Sequence, residues 1–144
     1  GDIQASLGLH VAYLISRMDS IAEVGGTMLD NSIVYWGNEF GEKTGSGSHI
    51  MTNLPIVVAG GAAGKLQMGY YVDYRKTGGM PVNNLLVTLL NAMGLSSADY
   101  EREGVIGFGE SDSSQVSSRG FDKYVTATER RKPLPYFYKG PIMG

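Results

Sequence analysis

The feature that most constrains this chain is a pair of continuous apolar runs, "SIVYWG" at 32–37 and "LPIVVAGG" at 54–61, flanking a polar, glycine-rich loop. The second run is bounded by Pro55 and by Gly60 and Gly61. A short run that is apolar throughout, rather than at alternate residues, suits a strand buried on both faces, as in a parallel sheet. Upstream, residues 5–24 place Leu7, Val11, Leu14, Ile15, Met18, Ile21 and Ala22 at helical spacing, which gives one apolar stripe. Gly25 and Gly26 supply a stop for that helix, and Leu29, Asp30 and Asn31 a tight turn into the first strand. Helix, strand, loop, strand is the order of an α/β layered fold, with a mostly parallel sheet and flanking helices.

Further along, "GYYVDYR" at 69–75 alternates weakly and reads as an edge strand or hairpin arm. "NNLLVTLLNAMG" at 83–94 reads as a short helix, capped by Asn83 and stopped by Gly94. Leu85, Leu86, Val87, Leu89, Leu90 and Met93 make it apolar nearly all round, so it is expected to be buried. Beyond Gly94 the periodicity fades and Ser, Gly and Pro accumulate. The expected organisation is therefore an α/β core portion over 1–95 and an extended, irregular C-terminal tail over 96–144. That tail would pack on the core or on a partner, with Phe108, Phe121, Tyr124, Tyr136, Phe137 and Tyr138 as anchors. "RRKPLPY" within it has a polyproline flavour.

Bulk properties exclude several functions. A length of 144 residues suffices for one core, and 42 % hydrophobic residues argue against disorder throughout. A formal net charge of −2 offers no basic face for nucleic acid. The absence of cysteine excludes disulfides, thiolate metal sites and a cysteine nucleophile. No apolar run approaches the roughly 18 residues of a transmembrane helix. No signal peptide is visible, and a start at Gly1 without an initiator Met suggests a processed or partial product.

Three stretches invite a chemical reading. "AGGAAGKL" at 59–66 approximates a phosphate loop but has Ala59 where the first glycine belongs and Leu66 where the magnesium-binding hydroxyl belongs. Glycines permitting a sharp turn after a strand explain it better. His10 flanks the apolar stripe of the first helix, and only two histidines exist, so a three-histidine zinc site within the chain is impossible. The other histidine is His49, ten residues beyond Glu39. Glu39 falls just past the end of the first strand, and open α/β sheets hold ligands outside the carboxyl ends of their strands. Glu39 and His49 could there share a divalent metal, with Asn38 and Glu42 adding oxygens. The plainer alternative is that Glu39 bridges locally and His49 is an exposed loop residue.

Taken together, "GTMLDNSIVYWGNEFGE", the later histidine, "NLPIVVAGGAAGKLQMGYYVDYR", "NNLLVTLLNAMGL" and "GFGE" resemble the C-terminal part of the uncharacterised bacterial family DUF1552. The resemblance covers roughly residues 8–110. That family and its relative DUF1501 are in turn similar to the alkaline phosphatase and sulfatase superfamily. The resemblance implies an alkaline-phosphatase-like C-terminal portion in which Glu39 falls on a metal-binding Asp, Phe40 on a metal-binding His, Gly41 on a Gly and His49 on a later His. Phe40 cannot ligate, so what is implied is a degenerate centre: one divalent ion (Zn, Mn or Ca) on Glu39 and His49. No counterpart of the superfamily's nucleophilic Ser or Thr is present. The resemblance also implies an exported protein, in the periplasm, cell envelope or extracellular space. Its partner would be the missing N-terminal portion of the same protein or another subunit. Two functions stay open: a piece of a metal hydrolase, and a non-catalytic structural or assembly module of an envelope or extracellular complex.

Overall fold

The computed structural model describes residues 2–41, 53–77, 79–109 and 127–140. The chain separates into two compact units, 1–64 and 65–144. Among the described residues there are four α-helices and two small antiparallel sheets of two strands each.

The first unit opens with helix α1, Asp2–Asp19. Val11, Ile15 and Met18 are half-buried at i, i+4, i+7 spacing. On the same face Gly8 allows the Trp36 ring to come close, within 3.3 Å of where a Cβ would stand. The helix stops at Asp19 rather than running to residue 24. Ser20 is the cause: its hydroxyl donates to the Arg17 carbonyl at 2.7 Å, a local bond that competes with helix propagation. The expected stop at Gly25 and Gly26 is instead a hairpin. β1 (Ala22–Glu23) and β2 (Gly26–Thr27) pair antiparallel around a two-residue turn with Gly25 at φ 87°. The tight turn before the next strand forms as expected. Asp30 accepts from the Thr27 N–H at 2.8 Å and from its hydroxyl at 3.1 Å, while the Ser32 N–H reaches the Leu29 carbonyl at 3.2 Å.

The layered, mostly parallel sheet expected from the two apolar runs is not what these runs build. β3 (Val34–Gly37) and β4 (Ile56–Ala59) form an isolated antiparallel ribbon, with Val34 opposite Ala59 and Gly37 opposite Ile56. Tyr35 and Val57 are 44 % and 48 % exposed, while Val34, Trp36, Ile56 and Val58 are half-buried. Opposite residues share a face, Trp36 with Val57 and Tyr35 with Val58, so each face carries both exposed and half-buried side chains and neither is fully covered. Continuous apolarity misled because aromatic and β-branched residues are also favoured on the partly exposed faces of a two-stranded ribbon, where they pack across strands.

The second unit is organised around helix α2, Val82–Ala92. Before it, residues 69–75 make no strand; Tyr74–Thr77 is a 3-10 turn. Asp73 decides this. Its carboxylate accepts the Arg75 N–H at 3.0 Å and the Arg75 guanidinium at 2.8 Å through both oxygens, so the backbone is tied locally. Pro81, not Asn83, is the N-cap of α2. Asn83 lies inside the first turn and its Nδ2 donates to the Phe108 carbonyl at 2.6 Å. The C-terminus ends as expected at Gly94, in the left-handed conformation at φ 88°, with the Leu95 N–H bonded to the Leu90 carbonyl at 3.0 Å. Helix α3 (Ser97–Tyr100) follows, with a capping box between Ser96 and Asp99. Helix α4 (Ala127–Arg131) then leads into an irregular strap over 132–139, with a turn at 135–137. α4 packs against α2.

Candidate functional site

The segment read from sequence as a metal edge begins at the end of β3. Glu39 is exposed there, and the Phe40 N–H turns back to the Asn38 side-chain oxygen at 3.4 Å. Because β3 belongs to an antiparallel ribbon, its carboxyl end is not the crevice of an open parallel sheet. His49 and Glu42 lie outside the described residues, as do Phe121 and Tyr124. Among the described residues no three His, Cys, Asp or Glu side chains converge in a way that could hold a metal. His10 is exposed on α1, and its Nδ1–H donates to the Ser6 carbonyl one turn back at 2.8 Å.

The glycine-rich turn after β4 shows why it is no phosphate cradle. Such a cradle aims consecutive backbone N–H groups at an anion. Here the N–H groups of Gly61, Ala62 and Ala63 donate instead to the carbonyls of Leu29, Ser32 and Asp30, at 3.3, 3.2 and 2.8 Å. Gly60, at φ 96°, is required because a Cβ would collide with the Ser32 carbonyl oxygen. Ala62 and Ala63 are also left-handed, at φ 47° and 54°.

The built surface of the molecule is elsewhere, on α2. Its most buried residues include Asn84, Thr88 and Asn91, each 1 % exposed or less, beside Leu85, Val87 and Ala92. The three polar positions follow i, i+4, i+7 spacing, so they form a ridge along one face. That ridge grips the strap by its backbone. The Asn84 Nδ2 donates to the carbonyls of Glu129 and Lys132, both at 2.8 Å. The Thr88 hydroxyl donates to the Asn84 carbonyl at 2.6 Å and accepts the Leu134 N–H at 2.7 Å. One turn on, the Asn91 carbonyl accepts the Tyr138 hydroxyl at 3.4 Å. The far side of the strap is satisfied too. The Tyr74 hydroxyl donates to the Pro135 carbonyl at 2.8 Å, and the N–H groups of Gln67 and Lys139 bond the Phe137 and Lys65 carbonyls at 2.8 Å. Burial holds the Tyr74 phenol up at about 12, so it stays a hydrogen-bond donor across the usual pH range.

Side chains of α4 and of the strap anchor this segment as well. Leu134 is 7 % exposed, whereas Tyr136 in the aromatic cluster expected to anchor the tail is 76 % exposed. Arg131 makes a two-pronged pair with Glu101, Nε and Nη2 donating at 2.7 and 2.6 Å. Glu101 also accepts the Gly107 N–H at 2.7 Å. The Arg131 hydrogen bonds, above all, hold the Glu101 carboxyl below its usual range, and Arg131 is raised in return. Arg130 reaches the Gly109 carbonyl at 2.7 Å. Close by, Tyr100, Arg102, Val105, Phe108 and Gly109 line a cavity of about 300 Å³, with the Tyr100 and Phe108 rings edge to face at 6.5 Å.

Sequence reasoning placed α2 inside but missed this ridge, because its eye was on the leucines. The signal was present: Asn, Thr and Asn at 84, 88 and 91 share a face, and buried Asn and Thr need partners that an irregular segment can supply. No family model, curated protein or solved structure matches the chain.

Proposed function

We propose that this chain is a non-catalytic assembly module that lays helix α1 against another polypeptide surface. The observation that carries the reading is α1 itself. None of its 18 residues is buried, although it displays Ile3, Leu9 and Tyr13 at 77 %, 73 % and 68 % exposure. Leu7 and Leu14, both 49 % exposed, join Ile3 on one outer stripe. Helices of this length draw most of their stability from packing an apolar face, and contiguous exposed apolar surface marks interaction sites. The natural cover is a surface of the same polypeptide chain beyond this stretch, or of another subunit. No helix among the described residues is long and apolar enough to cross a membrane.

Light scattering behind size exclusion, read with hydrogen exchange on α1, tests the reading. The expected outcome is concentration-dependent self-association that Ile3→Lys with Leu14→Lys abolishes without loss of far-UV circular dichroism. Rapid exchange throughout α1 in a monomer also supports it, since the helix then lacks its cover. A monomer at high concentration whose α1 amides resist exchange overturns it.

A further inference from the structure

The strap sits on α2 in the manner of a bound peptide. Except for the Tyr138 hydroxyl on the Asn91 carbonyl, the ridge's hydrogen bonds to the strap, and to Glu129 just before it, are to the backbone atoms of Glu129, Lys132 and Leu134, and so do not depend on side-chain identity. Two side chains carry most of the specificity: Arg131, held by the Glu101 carboxylate, and Leu134, held by burial. Pro133 and Pro135 flank Leu134 and hold the chain extended before it is seated, which lowers the ordering cost of docking. Peptide grooves that combine backbone bonds with a few side-chain pockets work in this way.

The third rung of the ridge is unfinished. Asn91 is 1 % exposed, and its Nδ2 has no hydrogen-bond partner among the described residues. A buried amide donor of this kind calls for an acceptor. Between Leu134 on Thr88 and Tyr138 beside Asn91, the strap passes through Tyr136 in the left-handed conformation, φ 67°. The chain's own segment therefore satisfies two rungs and bends before it offers the third a carbonyl.

We propose that the Asn84, Thr88 and Asn91 ridge is a docking groove for a partner segment of the form Arg-x-Pro-Leu-Pro that continues extended. Residues 129–138 are its tethered occupant. A partner segment displaces them by pairing its arginine with Glu101, burying its leucine in place of Leu134 and placing a carbonyl on the Asn91 Nδ2. This groove belongs to the second unit and the α1 face to the first, so either reading can fail without the other.

The probe is a fluorescein-labelled peptide of residues 128–140, titrated with the full chain and followed by anisotropy. Binding to the wild-type chain is expected to be weak, because the tethered strap competes at high effective concentration. Binding tightens at least tenfold to a Leu134→Asp chain, whose own strap is unseated, and to Arg131→Glu, a milder release should the first variant fold poorly. A peptide carrying Tyr136→Val, which disfavours the left-handed bend, binds more tightly than the native peptide. That gain disappears on an Asn91→Leu chain. Absence of saturable binding to both released chains, with their circular dichroism unchanged, overturns the groove. A Tyr136→Val peptide that gains nothing, or whose gain survives Asn91→Leu, overturns the role given to the third rung.

Discussion

Helices α1 and α2 make an instructive pair. α1 has 18 residues and buries none; α2 has 11 and buries six, three of them polar. The helix with exposed apolar side chains is α1, and the most enclosed face of α2 carries asparagine and threonine. Apolar content alone does not rank the two. What sets them apart is whether a neighbouring segment needs something from the helix. The strap over 132–139 forms no regular sheet of its own, so its N–H and C=O groups must be matched by side chains or by stray backbone groups. α2 supplies two of those bonds, from Asn84 to the Lys132 carbonyl and from the Leu134 N–H to Thr88, and a third to Glu129 in α4. α1 serves no such segment among the described residues, and the stripe of Ile3, Leu7 and Leu14 stays exposed.

The largest blow to this contrast comes from Leu134→Ala. Removing a buried leucine in the strap should cost about 2–5 kcal/mol in chemical denaturation. A cost near zero would mean that the strap is not seated on α2 at all. Next comes Asn84→Ala, which strands two carbonyls, at about 1–3 kcal/mol for each that stays away from water. Thr88→Val keeps the shape but leaves the Leu134 N–H without its acceptor, and should fall in the lower part of that range.

A pH titration sharpens the comparison further. The folded-state pKa of Glu101 lies below its ordinary value, so the Arg131 clasp contributes fully above the unfolded carboxyl pKa. Its contribution is lost as pH falls through the lower, folded-state value. Stability should therefore decline on the acid side, and Glu101→Gln should flatten that limb; an unchanged acid limb would remove the clasp from the account. Smallest of all are changes in the first unit. Leu9→Lys, and Glu39→Ala likewise, should alter stability by no more than about 0.5 kcal/mol, because both side chains are exposed. If Zn²⁺ titration gives a saturable isotherm that Glu39→Ala removes, a ligand site lies in the first unit and the contrast between the two halves must be redrawn.

Much of the local structure was legible in the residues. Gly94 closes α2 because the left-handed position there suits glycine, and Asp30 makes the turn before β3 because its carboxylate reaches back to Thr27. The pairing of β3 with β4 was not legible. "IVYW" and "IVVA" read the same whether their partner lies parallel or antiparallel, and direction is set by connections that hydropathy does not encode. The end of α1 was missed because Ser20 acts through a single hydroxyl that no apolar periodicity reveals. The ridge was missed for the opposite reason. A strong leucine pattern drew attention to one property of α2, while its polar positions take their meaning only from a strap that is distant in sequence.

Because the ridge recognises backbone positions at fixed intervals, it tolerates changed letters better than changed spacing. Outside Arg131 and Leu134, substitutions in the strap leave the carbonyls of 129 and 132 and the N–H of 134 where they are. Deleting one residue between 132 and 134 moves every later group out of phase with α2. Descendants of this sequence should therefore vary freely along the strap and yet keep its length, a ruler conserved more strictly than the text written on it.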